Sequence, residues 1–314
     1  MSPRCLVCQS PESSLVYELP RFSIRACDAC RQVYLHPLPS EAEIRALFSR
    51  LYTTGEDIMP ELRGYYGFCF DDRPENPLVQ LYEQWLAALE RHRSPGRLLD
   101  IGCGTGLFLV VAQRRGWTAT GIDDCDDATR HAIERFGCDV RTGDFETLEL
   151  SERFDAVTMW DVIEHARRPV ELLGAVRRVL APGGVVALAT PNQRNLLGLL
   201  GSLLYQVSAR RLTAPLERLY VDQHFLYFTP RTLARVLARA GFDVEELALQ
   251  STDLRRLTLS PAMRLALEAL FRIARWTALE NRLFAIARPT DAGGAAQGAH
   301  SPPAWSTNAS RSSA

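Results

Sequence analysis

The chain has 314 residues, 46% hydrophobic and 23% charged, room for one large α/β domain with appendages. A net charge of -1 gives no global field that would gather nucleic acid or an anionic membrane. All 36 basic residues are arginine, which excludes a lysine general base, a Schiff-base lysine and a P-loop lysine.

Neither a charged-then-apolar leader nor an apolar run of roughly 18 residues is seen, so the expected compartment is a reducing cytoplasm. Paired cysteines there mean metal more often than disulfide. Cys5, Cys8, Cys27 and Cys30 form C-x2-C-x18-C-x2-C, four thiolates suited to one structural Zn²⁺. Residues 15–19 and 22–26 read as two short strands between the pairs, making residues 1–38 a zinc ribbon too small to hold a core without its metal. Two roles stand open, recognition of an acceptor or partner and a structural brace, and two disulfides are the other chemistry. Cys69, Cys103, Cys125 and Cys138 have no partner at a recognisable spacing.

Residues 39–94 read as a helical linker and lid. Ser40 and Glu43 make a capping box, and Ile44, Leu47, Phe48 and Leu51 give the helix an apolar face. Residues 53–75 have no clean period; Tyr65, Tyr66, Phe68 and Phe70 either line an acceptor site or fill a seam. From Pro77, Leu78, Leu81, Tyr82, Trp85, Leu86 and Leu89 repeat at helical spacing.

The stretch 98–106 then runs from an apolar strand through Asp100 to Gly102, Gly104 and Gly106 and into a helix. This is a nucleotide-binding βα unit, but its third glycine comes one residue earlier than in a dinucleotide fingerprint. An acid so close to the turn suits a cationic ligand better than a pyrophosphate. A second strand ends at Asp123, where a carboxylate can accept both ribose hydroxyls of a nucleoside. Asp124 follows where an apolar adenine floor is usual. Strands are expected at 138–141, 154–160 and 185–189, with a helix from Pro169 closed by Pro182-Gly183-Gly184. The apolar stretch 196–205 reads either as a helix folded over the core or as a cap that meets a lipidic acceptor or a membrane surface. Residues 223–230 lead into a helix ending at Gly241; a sixth strand starts at Phe242 and the last spans 281–288. Residues 289–314 are expected to be a disordered tail.

Asp100/Gly102/Gly104/Gly106, Asp123, Asp144 and the run Asp161 to His165 together resemble class I S-adenosylmethionine-dependent methyltransferases of the ubiquinone-biosynthesis and secondary-metabolite type. The resemblance covers residues 95–288. It implies a doubly wound, Rossmann-like, mostly parallel seven-stranded α/β sheet in the order 3-2-1-4-5-7-6, with the last strand antiparallel. It also implies S-adenosylmethionine as cofactor, with Asp144 at the adenine amino group, Phe145 beside the ring and Trp160 at the end of the fourth strand. The activity implied is O- or C-methylation of a small-molecule acceptor: a metabolite, a sugar, or a lipid- or quinone-like compound. His165 and His224 end core elements near the expected site, and either is the candidate base. Two other classes stay open. One is a non-catalytic or nucleic-acid-directed ribbon protein, which the near-neutral charge opposes. The other is a nucleotide-dependent oxidoreductase, which the glycine spacing opposes.

Overall fold

The computed structural model describes residues 4–53 and 66–290. Most of the expected tail lies outside the described residues, as do Tyr65 and the side chains of Phe48 and Leu51.

The chain opens with β1 (Ser13–Glu18), β2 (Ser23–Cys27) and β3 (Val33–His36), a three-stranded antiparallel unit. After β2 the backbone turns back at the second cysteine pair, and β3 adds a third strand to the two expected within residues 1–38. Then come α1 (Glu41–Thr53) and α2 (Pro77–Glu90). The capping box forms as expected: the Ser40 N–H donates to Glu43 Oε2 at 2.7 Å and the Glu43 N–H to Ser40 Oγ at 3.2 Å. Pro77 opens α2 behind Asn76, whose side chain accepts from the Leu78 N–H at 2.8 Å.

Alternating strands and helices follow: β4 (Arg97–Ile101), α3 (Leu107–Arg114), β5 (Thr118–Asp123), α4 (Asp126–Phe136), β6 (Asp139–Thr142), β7 (Phe154–Trp160), α5 (Pro169–Val179) and β8 (Leu180–Pro191). The remainder is α6 (Leu196–Val207), α7 (Ala214–Glu217), β9 (Leu226–Tyr227), α8 (Pro230–Arg239), β10 (Phe242–Gln250), α9 (Pro261–Trp276) and β11 (Arg282–Pro289). The main sheet has seven strands among the described residues, in the order β6-β5-β4-β7-β8-β11-β10. The five strands from β6 to β8 are parallel, and β11 runs antiparallel to both of its neighbours. Counted along the chain from β4, this is the order 3-2-1-4-5-7-6. The central strands are continuous apolar runs because helices cover both faces. One core layer gathers Trp85, Leu86 and Leu89 of α2 with Leu98, Phe108 and Phe284; the other gathers Leu99, Val157, Leu173 and Leu237.

Two boundaries differ from expectation for a physical reason. Strand β8 starts at Leu180, before the Pro-Gly-Gly run, and its pairing with β7 jumps from Phe154↔Leu180 to Ala156↔Val185. Pro182-Gly183-Gly184 therefore forms a bulge in the strand rather than a linker after the helix, with Gly183 at φ +70°. The second difference is β9. It joins the N-terminal unit to make a four-stranded sheet, β1-β2-β3-β9, through Val33↔Tyr227 and Tyr34↔Leu226.

Candidate functional site

The sheet order reverses at β4, which lies between β5 and β7, and the ends of these strands open a crevice at the switch point. A cavity of about 1540 Å³ occupies it, larger than one small ligand needs. Its floor is Asp100 to Gly104. Asp100 is 1% exposed, and Thr158 Oγ1 donates to its Oδ1 at 2.5 Å. Burial pushes its carboxyl well above the ordinary carboxylate range, and the Asp123 charge adds to this against the Thr158 hydrogen bond. A cation beside Asp100 reverses that imbalance by favouring the charged form.

The glycines have separate reasons. Gly102 has φ +73° and lies so close to Val162 that an added Cβ would sit 2.5 Å from Val162 Cγ2. Gly104, at φ +51°, offers its bare N–H to Asp123 Oδ2 at 2.7 Å. Gly106, at φ +82°, is not a lining residue: an added Cβ there would meet Ala132 Cβ of α4 at 2.7 Å, so it serves helix packing. Asp123 also accepts the Cys125 N–H at 2.9 Å, and burial raises its carboxyl to about 6. Asp124, Asp144 and Phe145 complete this side of the cavity. Trp160 lines it from β7, stacked on Trp85 at 4.5 Å between centroids, and its buried indole N–H has no acceptor among the described residues.

The opposite side is built by the turn after β7 and the segment before β9. Asp161 takes φ +56°, a strained conformation for a residue with a side chain, and accepts from Arg282 Nη2 at 2.7 Å. His165 Nδ1 lies 2.7 Å from the Gln223 carbonyl, and its ring is 4.9 Å from that of His224, centroid to centroid. Burial lowers the pKa of both imidazoles, although the Gln223 carbonyl works the other way on His165. His224 falls well below the usual value because the His165 and Arg282 charges add to its burial. Glu164 is 1% exposed; its Oε2 accepts from Thr190 Oγ1 at 2.8 Å, while Oε1 has no hydrogen-bond partner among the described residues. Burial, then the Asp161 charge, raises its carboxyl well above the ordinary range. One ligand atom from each of Glu164, His165 and His224 lies within 4.8 Å of the others, a spacing that a divalent cation can also bridge. The structure thus brings both predicted histidines together. It adds Asp161, Glu164 and Arg282, whose roles depend on strand ends meeting across the sheet. Of the aromatic residues read as lining an acceptor site or filling a seam, Tyr66 reaches the cavity and Phe68 packs into the core layer of α2 and α3.

The four N-terminal cysteines form a separate cluster whose sulfurs lie within 4.8 Å of one another, with Cys5–Cys30 and Cys8–Cys27 at 3.5 Å. Tetrahedral Zn–S bonds place sulfurs about 3.8 Å apart, so the set fits one zinc. The Cys30 N–H points at Cys27 Sγ at 3.4 Å, and such donors help bring the Cys27 thiol to about 7 despite its burial. A thiolate there is the form that a metal takes.

Comparison with known proteins agrees with this geometry. A family profile described as a methyltransferase domain matches residues 77–247. A ubiquinone biosynthesis O-methyltransferase of Xanthomonas axonopodis pv. citri (strain 306) is 30% identical over 186 residues, 56% of this chain and 76% of that protein. One of Caulobacter sp. (strain K31) is 38% identical over 124 residues, 35% of this chain and 49% of that protein. The chain spans about half the length of several of the curated relatives it matches. Among solved structures, magnesium protoporphyrin IX methyltransferase from Synechocystis PCC 6803 with bound SAH aligns over 79% of this chain and 99% of its own. Its TM-score is 0.50 and its identity 15%, a likeness of fold.

Proposed function

The chain belongs to the methyltransferase-domain family, and on that premise we propose that it transfers a methyl group from S-adenosylmethionine to a hydroxyl of a small acceptor with an apolar body. The observation that carries this reading is Asp100, a carboxylate buried at the switch point with Thr158 alone, among the described residues, to support its charge. S-adenosylmethionine supplies an electrophilic methyl on a sulfonium, so the protein's main task is alignment. Asp100 would hold the cationic amino-acid end. Asp123 would receive the ribose hydroxyls, and Asp144 and Phe145 the adenine. The unpartnered Trp160 N–H is a donor for the carboxylate end. Gly102 and Gly104 let the ligand lie against main chain, and Gly106 keeps α3 and α4 in contact. The names of the curated relatives support an O-acceptor, and Phe22, Leu197, Tyr220, Phe225 and Phe271 support its apolar body.

His224 is the proposed base, and His165 positions it. The base works in its neutral form, which exists above the pKa. Because that pKa is lowered, transfer should persist to pH values below 6.5 and fail only further into acid. With labelled donor and a panel of hydroxylated aromatic acceptors, His224→Ala should lower turnover about a hundredfold. Affinity for S-adenosylhomocysteine should stay within about threefold, a change of less than 1 kcal/mol. Near-normal turnover, or an acid limb at or above pH 6.5, would remove His224 from the role.

The cysteine cluster supports one structural zinc held by Cys5, Cys8, Cys27 and Cys30. Elemental analysis should find about one zinc per chain, lost in a Cys27→Ser/Cys30→Ser variant; unchanged metal in that variant contradicts the assignment.

No helix among the described residues is long and apolar enough to cross a membrane. Yet α6 and α9 pack side by side and expose Leu199, Leu203, Val207, Leu265, Ile273 and Trp276, the last 91% exposed. Arg210, Arg211 and Arg272 lie nearby in the chain, and Leu197 and Phe271 line the cavity from the same helices. This face suits an anionic bilayer surface delivering a lipidic acceptor. The protein should sediment with phosphatidylglycerol vesicles at low salt, and Leu203→Glu/Trp276→Glu should release it; equal binding by the variant would exclude this face.

A further inference from the structure

The N-terminal ribbon reads as an appendage in sequence, because the donor-site motifs all follow residue 97. Its ties in the structure run to the acceptor side. The Leu35 N–H donates to the Phe225 carbonyl at 3.0 Å, and the Phe225 N–H donates to the Glu164 carbonyl at 2.8 Å. Phe225, next to His224, is therefore held on both its backbone groups: by the ribbon and by the turn that carries His165. Two residues on, Tyr227 pairs with Val33, and the Gln32 side-chain amide donates to the Tyr227 carbonyl at 3.0 Å. Gln32 is 1% exposed. Before the histidine, Asp222 pairs with Arg21 of the β1–β2 turn at 2.6 Å. Tyr17 of β1 packs against Tyr220, with ring centroids 5.3 Å apart. The turn residues Leu19 to Phe22 line the same cavity as His165 and His224. The metal cluster is joined to this frame too, because Arg235 of α8 donates to the Cys30 carbonyl. Cys5, Cys27 and Cys30 are buried in the same core layer as Phe225 and Leu226.

We propose that the zinc ribbon is a fixed wall of the acceptor half of the site, and that its bound metal holds the strand segment carrying His224 in place while leaving the donor half to stand without it. Ribbon and β9 form one sheet, so loosening the cysteine end frees the edge on which residues 225–227 are paired. The donor residues sit at the ends of β4 to β7 and in the turns that follow β4 and β6, and these strands are held by their own parallel ladder. The proposal rests on the methyl-transfer reading for what the two halves bind, but not for the brace itself.

The test compares the zinc-loaded full chain with the same chain after chelation, by amide hydrogen exchange and by calorimetry with S-adenosylhomocysteine. Chelation should speed exchange at residues 225–228 at least tenfold, with affinity for S-adenosylhomocysteine staying within about twofold. Unchanged exchange at 225–228 overturns the brace. Loss of S-adenosylhomocysteine affinity on chelation overturns the division into two halves. If the zinc-loaded protein itself binds no S-adenosylhomocysteine, the donor reading fails, and the exchange arm still decides the brace. Because chelation can unfold the ribbon wholesale, Gln32→Leu provides a milder arm. It removes one hydrogen bond from ribbon to β9 and leaves the cysteines intact. Zinc content should be unchanged and exchange at 225–228 about fivefold faster, the effect of one hydrogen bond; exchange equal to the parent protein counts against the ribbon as the holder of this segment.

Discussion

Burying Asp100 at the end of the central strand is an unfavourable step that the protein alone does not offset. One hydroxyl, from Thr158, faces its carboxylate, and the neighbouring charge is the like charge of Asp123. A structural carboxylate would be expected to have a guanidinium beside it, as Asp155 has Arg93 and Glu90 has Arg115 on the periphery of this fold. Arg282 instead pairs with Asp161. On the proposed reading the demand for a cation at Asp100 is left for the ligand, and the glycine turn leaves room for that ligand to approach.

The same economy of contacts governs the other half of the cavity. His224 meets the His165 and Tyr227 rings and is held through its chain neighbours: Asp222 to Arg21, Gln223 to His165, Phe225 to Leu35 and Glu164, Tyr227 to Gln32. Positions fixed through backbone on both sides are rigid, and the proximity of ring to ring is then set by the packing of two sheets. The N-terminal unit adds a small second sheet whose edge strand, β9, comes from far along the chain, which places the four-cysteine cluster and His224 in one framework.

Much of this was legible in sequence. The apolar runs of β4, β7 and β8, the capping box of α1, the helical spacing of α2 and the glycine turn with Asp100 all follow local rules that a short window contains. The order of the seven strands rested on the family resemblance, and the structure bears it out. What was not legible depends on distant pairing. β9 has two residues and no pattern of its own; it is a strand because β3 lies beside it. The Pro-Gly-Gly run before Val185 reads as a helix stop, yet parallel pairing with β7 absorbs it as a bulge. Gly106 looks like part of a ligand cradle, but its neighbour is Ala132, a residue of the next helix. Asp161 and Glu164 stood inside a recognised motif without roles, since the partners that give them meaning, Arg282 and Thr190, come from β11 and β8.

The central claim, that Asp100 and the glycine turn form a site for a cationic adenosyl ligand, is tested most directly by calorimetry on the purified protein. S-adenosylmethionine and S-adenosylhomocysteine should each bind once per chain, NAD should not bind, and Asp100→Ala should abolish adenosyl binding while the thermal unfolding transition persists. Binding of NAD without either adenosyl ligand, or undiminished affinity in the Asp100→Ala variant, would contradict the account.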